Sequence, residues 1–209
     1  MPGILNSKVE EYLAGLLPKR DAVISEMELY AKRHDVPIIG PAVARSIFLL
    51  AQIAGAKRIF EMGSAIGYST IWLARAAGPE AEVYYTDGDS ANAARARGYF
   101  KRAGVEHQIQ IMTGDAVNLI DQIPGEFDLI FIDVDKHQYP EALRKAVPRL
   151  RSGGLLITDN VLWSGKVTAK AKDPQTRAIQ QFNELIYSSH ELFPVIIPLR
   201  DGVAVCRKF

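Results

Sequence analysis

From Arg58 onward the chain alternates short β-rich runs with helix-like stretches. The candidate strands are Arg58–Met62, Glu82–Thr86, Ile109–Thr113, Phe127–Asp133, Leu155–Thr158, Leu192–Leu199 and Val203–Lys208. Between the first five lie helix-like segments near 68–77, 90–102, 116–122 and 138–150. Such alternation implies right-handed βαβ crossovers and a mainly parallel, doubly wound α/β sheet. The run from Phe127 to Ile132 is almost continuously apolar, as expected of a strand covered on both faces. Only Arg200, Asp201 and Gly202 separate the last two strands, and Asp-Gly is a hairpin signal, so an antiparallel strand finishes the sheet. Ahead of Arg58, Val23, Met27, Tyr30 and Ala31 mark one apolar helix face, and Val43, Ile47, Leu50 and Ala54 mark another. The segment PIIGP at 37–41 separates them as a rigid turn. These helices read as a cap on the sheet or a dimer surface. The expected organisation is a helical extension over 1–36 followed by one α/β domain over 37–209.

Composition narrows the class. A chain of 209 residues can bury on the order of 70% of its unfolded surface without a staple. A single cysteine, Cys206, excludes a disulfide framework and any CxxC motif. With 25 basic and 24 acidic residues, a protein that coats nucleic acid is disfavoured, although a local basic patch is compatible with this balance. No apolar run approaches the ~18 residues of a membrane span. The opening MPGILNSKVEEYLAG lacks the basic-then-apolar order of a signal peptide, so a soluble cytoplasmic protein is expected.

Candidate chemistry collects at the strand ends. Glu61-Met-Gly-Ser-Ala-Ile-Gly-Tyr-Ser69 follows the first strand and opens a helix. Gly63 and Gly67 permit a tight turn and close approach of backbone to ligand, and the helix N-terminus favours an anionic group. The loop lacks the GxGxxG dinucleotide fingerprint, since Met62 and Ala65 stand where further glycines would seat a pyrophosphate. Asp87, 24 positions after Gly63, can accept both hydroxyls of a ribose. Gly114-Asp115-Ala116 follows the third strand, where it could meet an adenine edge. Each feature alone is more often structural; together they favour an adenosine-bearing ligand.

Asp133-Val-Asp135-Lys136 closes the fourth strand and Asp159-Asn160 the fifth, 26 residues after Asp133. Neighbouring parallel strands lie ~4.8 Å apart, so their ends can converge on one ion. Asp133, Asp159 and Asn160 form an oxygen-only set suited to Mg²⁺, Mn²⁺ or Ca²⁺ rather than to a closed zinc site. Lys136 can serve the same cavity as a base. The bland reading has the aspartates capping helices and Lys136 solvated; their joint occurrence favours a site.

These residues resemble the cation-dependent, S-adenosylmethionine-dependent O-methyltransferases of the catechol and caffeoyl-CoA type. The resemblance runs from about Pro37 to Phe209 and is carried by EMGSAIGYS (61–69), FDLIFIDVDKHQY (127–139), TDNVLWSGKV (158–167) and the closing DG at 201–202. It implies the seven-stranded class I methyltransferase sheet, usually in a dimer. It implies that Ile38, Glu61, Gly63, Ser64 and Ser69 line the methionine and ribose part of the donor, that Asp87 holds the ribose, and that Asp115 and Ala116 meet the adenine. Asp135 would contact the donor's amino-acid end, and Asp133 would face both donor and metal. Asp133, Asp159 and Asn160 match the family's metal ligands, and Lys136 matches its base. The implied reaction is methyl transfer to a hydroxyl of a small phenol, chelated through vicinal oxygens. Arg200 departs from the pattern, standing before Asp-Gly where a small residue is common.

Other readings stay open at this level. Lys166, Lys170, Lys172 and Arg177 around Asp173 give a local excess of three positive charges, compatible with a tRNA 5-hydroxyuridine O-methyltransferase. An NAD-dependent oxidoreductase would share the fold and Asp87. Tyr68, Trp72, Tyr139 and Trp163 could stack on an aromatic acceptor, with Trp72 better placed for a core. The four histidines show no ligand spacing, and no GxSxG elbow occurs.

Overall fold

The structure, a computed structural model, describes residues 7–209; the first six residues of the expected extension lie outside the described residues. The elements run α1 (Ser7–Leu16), α2 (Ala22–His34), α3 (Gly40–Ile53), β1 (Arg58–Met62), α4 (Tyr68–Ala77), β2 (Glu82–Asp87), α5 (Ser90–Arg102), β3 (Ile109–Thr113), α6 (Ala116–Leu119), β4 (Phe127–Ile132), α7 (Tyr139–Ala146), β5 (Leu150–Thr158), α8 (Pro174–Ser188), β6 (Leu192–Ile197) and β7 (Val203–Lys208). The strands form one seven-stranded sheet in the order β3-β2-β1-β4-β5-β7-β6. β1 to β5 pair in parallel, and β7 inserts antiparallel between β5 and β6.

Period-2 alternation sorts the side chains onto two faces. Ile59, Val83, Tyr85, Leu129, Phe131 and Ile157 pack under α2 to α5, while Phe60, Met62, Ile130, Ile132 and Leu156 pack under α6 to α8. The molecule is therefore three layers, helix–sheet–helix. Met27 and Ala31 of α2 and Val43 and Ile47 of α3, on the expected stripes, are buried in the first of these cores, whereas Val23 and Tyr30 are partly buried and the unmarked Ile24 joins the core. At the amino ends of the strands, the Asp128 carboxylate accepts from the backbone nitrogens of Lys57 and Arg58, each at 2.8 Å, and from Arg151 Nε at 2.5 Å. That bolts β1, β4 and β5 together on the side away from the site.

β5 and α8 depart most from expectation, while β6 ends at Ile197 rather than Leu199 and α7 at Ala146 rather than near residue 150. β5 begins at Leu150 rather than Leu155: a register shift between Phe127 and Leu129 takes up Gly153 and Gly154 as an irregularity within the ladder. α8 is not anticipated by the strand pattern at all. Asp173 caps it, accepting from Thr176 N at 2.8 Å, Pro174 stands in its first turn, and Thr176, Ile179, Phe182 and Ile186 bury one stripe.

A candidate donor and acceptor cavity at the strand carboxyl ends

The strand order reverses between β1 and β4, and in open α/β sheets ligands bind at the carboxyl ends of strands beside such a switch point. A cavity of about 650 Å³ lies there. Of the residues that sequence reasoning assigned, Ile38, Gly63, Ser64, Ser69, Asp87, Asp115, Ala116, Asp133, Asp135, Lys136, Asp159 and Asn160 all line it. Glu61 is the exception, standing outside the lining. It is fully buried, against the hydroxyls of Ser69, Thr70 and Ser64.

The glycine loop is built by close packing as much as for a ligand. Gly63 has φ 83°, and a Cβ there would lie 2.5 Å from the carbonyl oxygen of Asp133, so only glycine lets the β1 and β4 exits touch. Gly67, expected to face a ligand, instead has no room for a Cβ because of the Phe100 ring. The loop is fixed by Ser64 N to Thr86 O at 2.8 Å and Ala65 N to Asp87 Oδ2 at 2.9 Å. Gly67 opens α4 without a side-chain cap, leaving first-turn amides available as donors. Asp87 also accepts from Asp89 N at 2.9 Å and Asn92 Nδ2 at 3.1 Å, which orients its carboxylate while leaving lone pairs. Asp115 caps α6 through Val117 N at 3.0 Å and is steadied by Gln138 Nε2 at 3.1 Å. Asn92 and Gln138 are cavity residues that sequence reasoning did not single out; Gln138 stands inside the FDLIFIDVDKHQY segment, and nothing in its spacing separates it from a surface residue.

Burial pushes the Glu61 carboxyl up to about 7, against the pull of the nearby Ser69, Thr70 and Ser64 hydroxyls. Its Oε2 accepts from Thr70, while Oε1 has no partner. A carboxyl held near 7 rather than at its ordinary 4.5 makes the folded chain keep a proton that the unfolded chain releases. Stability therefore falls as pH rises from about 4.5 to about 7, by at most about 3 kcal/mol. Glu61→Gln should flatten that part of the stability curve, so that the variant gains on the parent between pH 5 and pH 8 in thermal melts. Parallel curves would show that Glu61 does not titrate there.

At the other end of the cavity Asp133 and Asp159 directly follow the register pair Ile132–Thr158, which sets them side by side. Lys136 Nζ donates to Asp133 Oδ1 at 2.8 Å and to Tyr139 Oη at 2.7 Å, and Tyr139 Oη donates to the Asp159 carbonyl at 2.8 Å. Burial raises both aspartate carboxyls; the charge of Asp133 adds to the rise at Asp159, while the charges of Lys136 and Arg200 oppose it at both. Asp159 Oδ1 is buried with no hydrogen-bond partner. Two mutually repelling carboxylates with an orphaned oxygen, beside the neutral side chain of Asn160, fit a hard cation. No group of three or more His, Cys, Asp or Glu side chains able to hold a metal occurs among the described residues; the candidate set here has two carboxylates and the Asn160 amide.

The loop after β5 is locked to the β6–β7 turn. Val161 N donates to Gly202 O at 3.1 Å, Leu162 N to Asp201 O at 2.9 Å, and Ser164 N to Asp201 Oδ1. Leu162 fills the space where a Cβ on Gly202 would go. The closing Asp-Gly is thus both hairpin turn and clamp on the Trp163 loop. Of the aromatic candidates, Trp163 lines the cavity. Trp72 packs edge-on against Phe48, with centroids 6.0 Å apart. Tyr68 reaches the lining, but its hydroxyl is tied to Glu28 at 2.8 Å. Tyr139 is fully buried: it holds Lys136 and offers no stacking face.

Comparison with known proteins agrees with this architecture. A family model described as O-methyltransferase matches residues 21–209, so the match takes in α2. Catechol O-methyltransferase of Niastella koreensis is 35% identical over 209 residues, covering 94% of this chain and 95% of that protein. Caffeoyl-CoA O-methyltransferase 2 of Populus trichocarpa is 25% identical over 206 residues, covering 91% and 83%. The O-methyltransferase of Bacillus cereus, solved in complex with SAH, has a TM-score of 0.88 at 29% identity over 97% of each chain. The oxidoreductase reading falls on these matches and on the missing glycines of the loop. The chain belongs to the O-methyltransferase family, as an S-adenosylmethionine-dependent methyltransferase of the catechol and caffeoyl-CoA type.

Proposed function

We propose that the acceptor is a small phenol with vicinal hydroxyls and that a divalent cation, Mg²⁺ foremost and Mn²⁺ or Ca²⁺ as substitutes, assists the transfer. The observation that carries this reading is the pairing of the half-buried Asp133 with the fully buried Asp159 beside Lys136, in the same cavity as the glycine loop.

In this proposal Ile38, Gly63, Ser64, Ser69 and Asp135 hold the amino-acid end of the donor, with the buried Glu61 answering its ammonium from beneath. Asp87 takes the ribose, and Asp115 with Ala116 the adenine. Asp133, Asp159 and Asn160 hold the cation. When bound, the donor supplies a methyl group on a sulfonium and the cation lowers the pKa of the acceptor hydroxyl, which for a free phenol is about 10. Lys136 Nζ, held by Tyr139, would take the hydroxyl proton as the neutral amine, after giving up the proton it shares with Asp133. The S–CH₃ bond breaks as the O–CH₃ bond forms, with no covalent enzyme intermediate, so the residues act by positioning. The Trp163 loop covers the ring and excludes water. Exposed apolar side chains on α3 (Leu49, Ile53) and on the edge strand β6 (Phe193, Val195, Ile197) support a homodimer. No helix among the described residues is long and apolar enough to cross a membrane, which accords with a cytoplasmic enzyme.

A labelled-methyl transfer screen over catechols, hydroxycinnamoyl thioesters, flavonoids and undermodified tRNA tests this. Vicinal diols should be methylated with Mg²⁺, lose the label transfer in EDTA and regain it with excess Mg²⁺. Transfer undiminished by EDTA would overturn the role of the cation, and transfer confined to tRNA would overturn the phenolic acceptor.

A further inference from the structure

Two cations, Lys136 and Arg200, line the cavity together with Asp87, Asp115, Asp133, Asp135 and Asp159. Lys136 is committed to Asp133 and Tyr139. Arg200 has no carboxylate within ion-pairing distance among the described residues, and its one hydrogen bond runs from Nη1 to the Ile38 carbonyl at 2.9 Å. Nε, Nη2 and the second Nη1 hydrogen have no acceptor among the described residues. The backbone at Arg200 is left-handed, φ 54°, a conformation in which glycine would sit without strain. Asn160 and Trp163, also in the lining, share this condition, with φ 58° and 47°. Strained non-glycine residues persist where the surrounding structure holds them for use. Neither Gly40, whose Cβ position lies 3.7 Å from Nη1, nor the Ile38 carbonyl requires an arginine rather than a smaller residue at this turn.

We propose that Arg200 is a specificity-determining residue that makes the acceptor end of the cavity an anion subsite, selecting phenolic acceptors that carry a carboxylate over uncharged ones. The proposal rests on the phenolic reading above. A planar guanidinium with free donors matches a carboxylate bidentately. It would sit opposite the vicinal hydroxyls that approach Asp133 and Asp159, so that one end of the acceptor is read by charge while the other reacts.

The test compares 3,4-dihydroxybenzoate with its methyl ester, which has the same hydroxyls and no charge, in the parent and in Arg200→Gly. Glycine accepts the left-handed turn, so the variant keeps the fold; Arg200→Gln checks the result with a side chain present. KM is measured in the methylation assay, and Kd by calorimetry on protein loaded with S-adenosylhomocysteine and Mg²⁺. The parent should prefer the acid. Arg200→Gly should raise both KM and Kd for the acid about 10- to 100-fold more than for the ester, with the two kcat values changing in parallel. Equal changes for acid and ester, or an equal shift of the Mg²⁺ requirement with both, would make Arg200 only a counter-charge to the acid pair and overturn the proposal. A parent that handles acid and ester alike would overturn this proposal alone. A parent that neither binds nor methylates either compound would overturn the phenolic reading and this proposal with it.

Discussion

Asp159→Ala should lower Mg²⁺-stimulated turnover by at least about 10²-fold while leaving the affinity for S-adenosylhomocysteine within about twofold. The carboxylate stands at the β5 end of the cavity, on the far side of Asp133 from the glycine loop, so it is placed to meet the cation and acceptor rather than the donor. Losing one charged ligand from an oxygen-only site removes a large share of the attraction for a divalent ion. The residue is also buried with an unpartnered Oδ1 and a raised carboxyl pKa, which marks it as a stability cost in the ion-free protein. Activity should therefore fall without a matching fall in melting temperature when both proteins are measured in EDTA. A structural aspartate would give the opposite pairing, with stability lost and Mg²⁺ dependence intact. Turnover unchanged by the substitution refutes the assignment outright.

Lys136→Met should cost about 10²- to 10⁴-fold in kcat, the range of a positioned general base, with the donor still bound. The ammonium bonds Asp133 Oδ1 at 2.8 Å, so it competes with any ion for that carboxylate. Removing it should leave the affinity for Mn²⁺ equal or tighter, a readout that separates a catalytic lysine from a merely structural ion pair. If Lys136 only held the β4 exit in shape, Lys136→Met would loosen the ion along with the fold, and Lys136→Arg, which keeps the charge, would restore activity. A kcat within tenfold of the parent would remove Lys136 from the reaction.

Much of this site can be read in the chain because the chemistry sits at strand ends, and strand ends are announced by simple patterns. Apolar runs such as Ile59-Phe60 and Leu129-Ile130-Phe131-Ile132 place β1 and β4, and in a parallel sheet the first polar residues beyond each run must open onto one edge. That is why Asp87, Asp133 and Asp159 meet in one cavity. What pattern could not supply is depth. Glu61 and Ser64 are close in sequence, yet Glu61, still in β1, is buried away from the lining, whereas Ser64, in the loop past the strand, reaches it. Tyr139 looks from its position like an acceptor platform, but its burial turns it into the prop beneath Lys136. Gly63 reads as a ligand contact, and its closest demand comes from the Asp133 backbone. α8 escaped because the alternation that marks βαβ units stops at β5; its own signal was the Asp-Pro start with apolar residues at helical spacing. Gln175 of α8, Trp163 and Arg200 also line the cavity, on loops and a helix end that the sheet constrains least.

The most direct test of the shared cavity is diffraction from crystals grown with S-adenosylhomocysteine and Mn²⁺, read by the anomalous signal of the metal. One strong peak is expected within bonding reach of the Asp133 and Asp159 carboxylates and the Asn160 side chain, with the nucleoside lying along Asp87. Saturating Mn²⁺ with no peak between those two carboxylates, or with the peak at another place on the molecule, would contradict it.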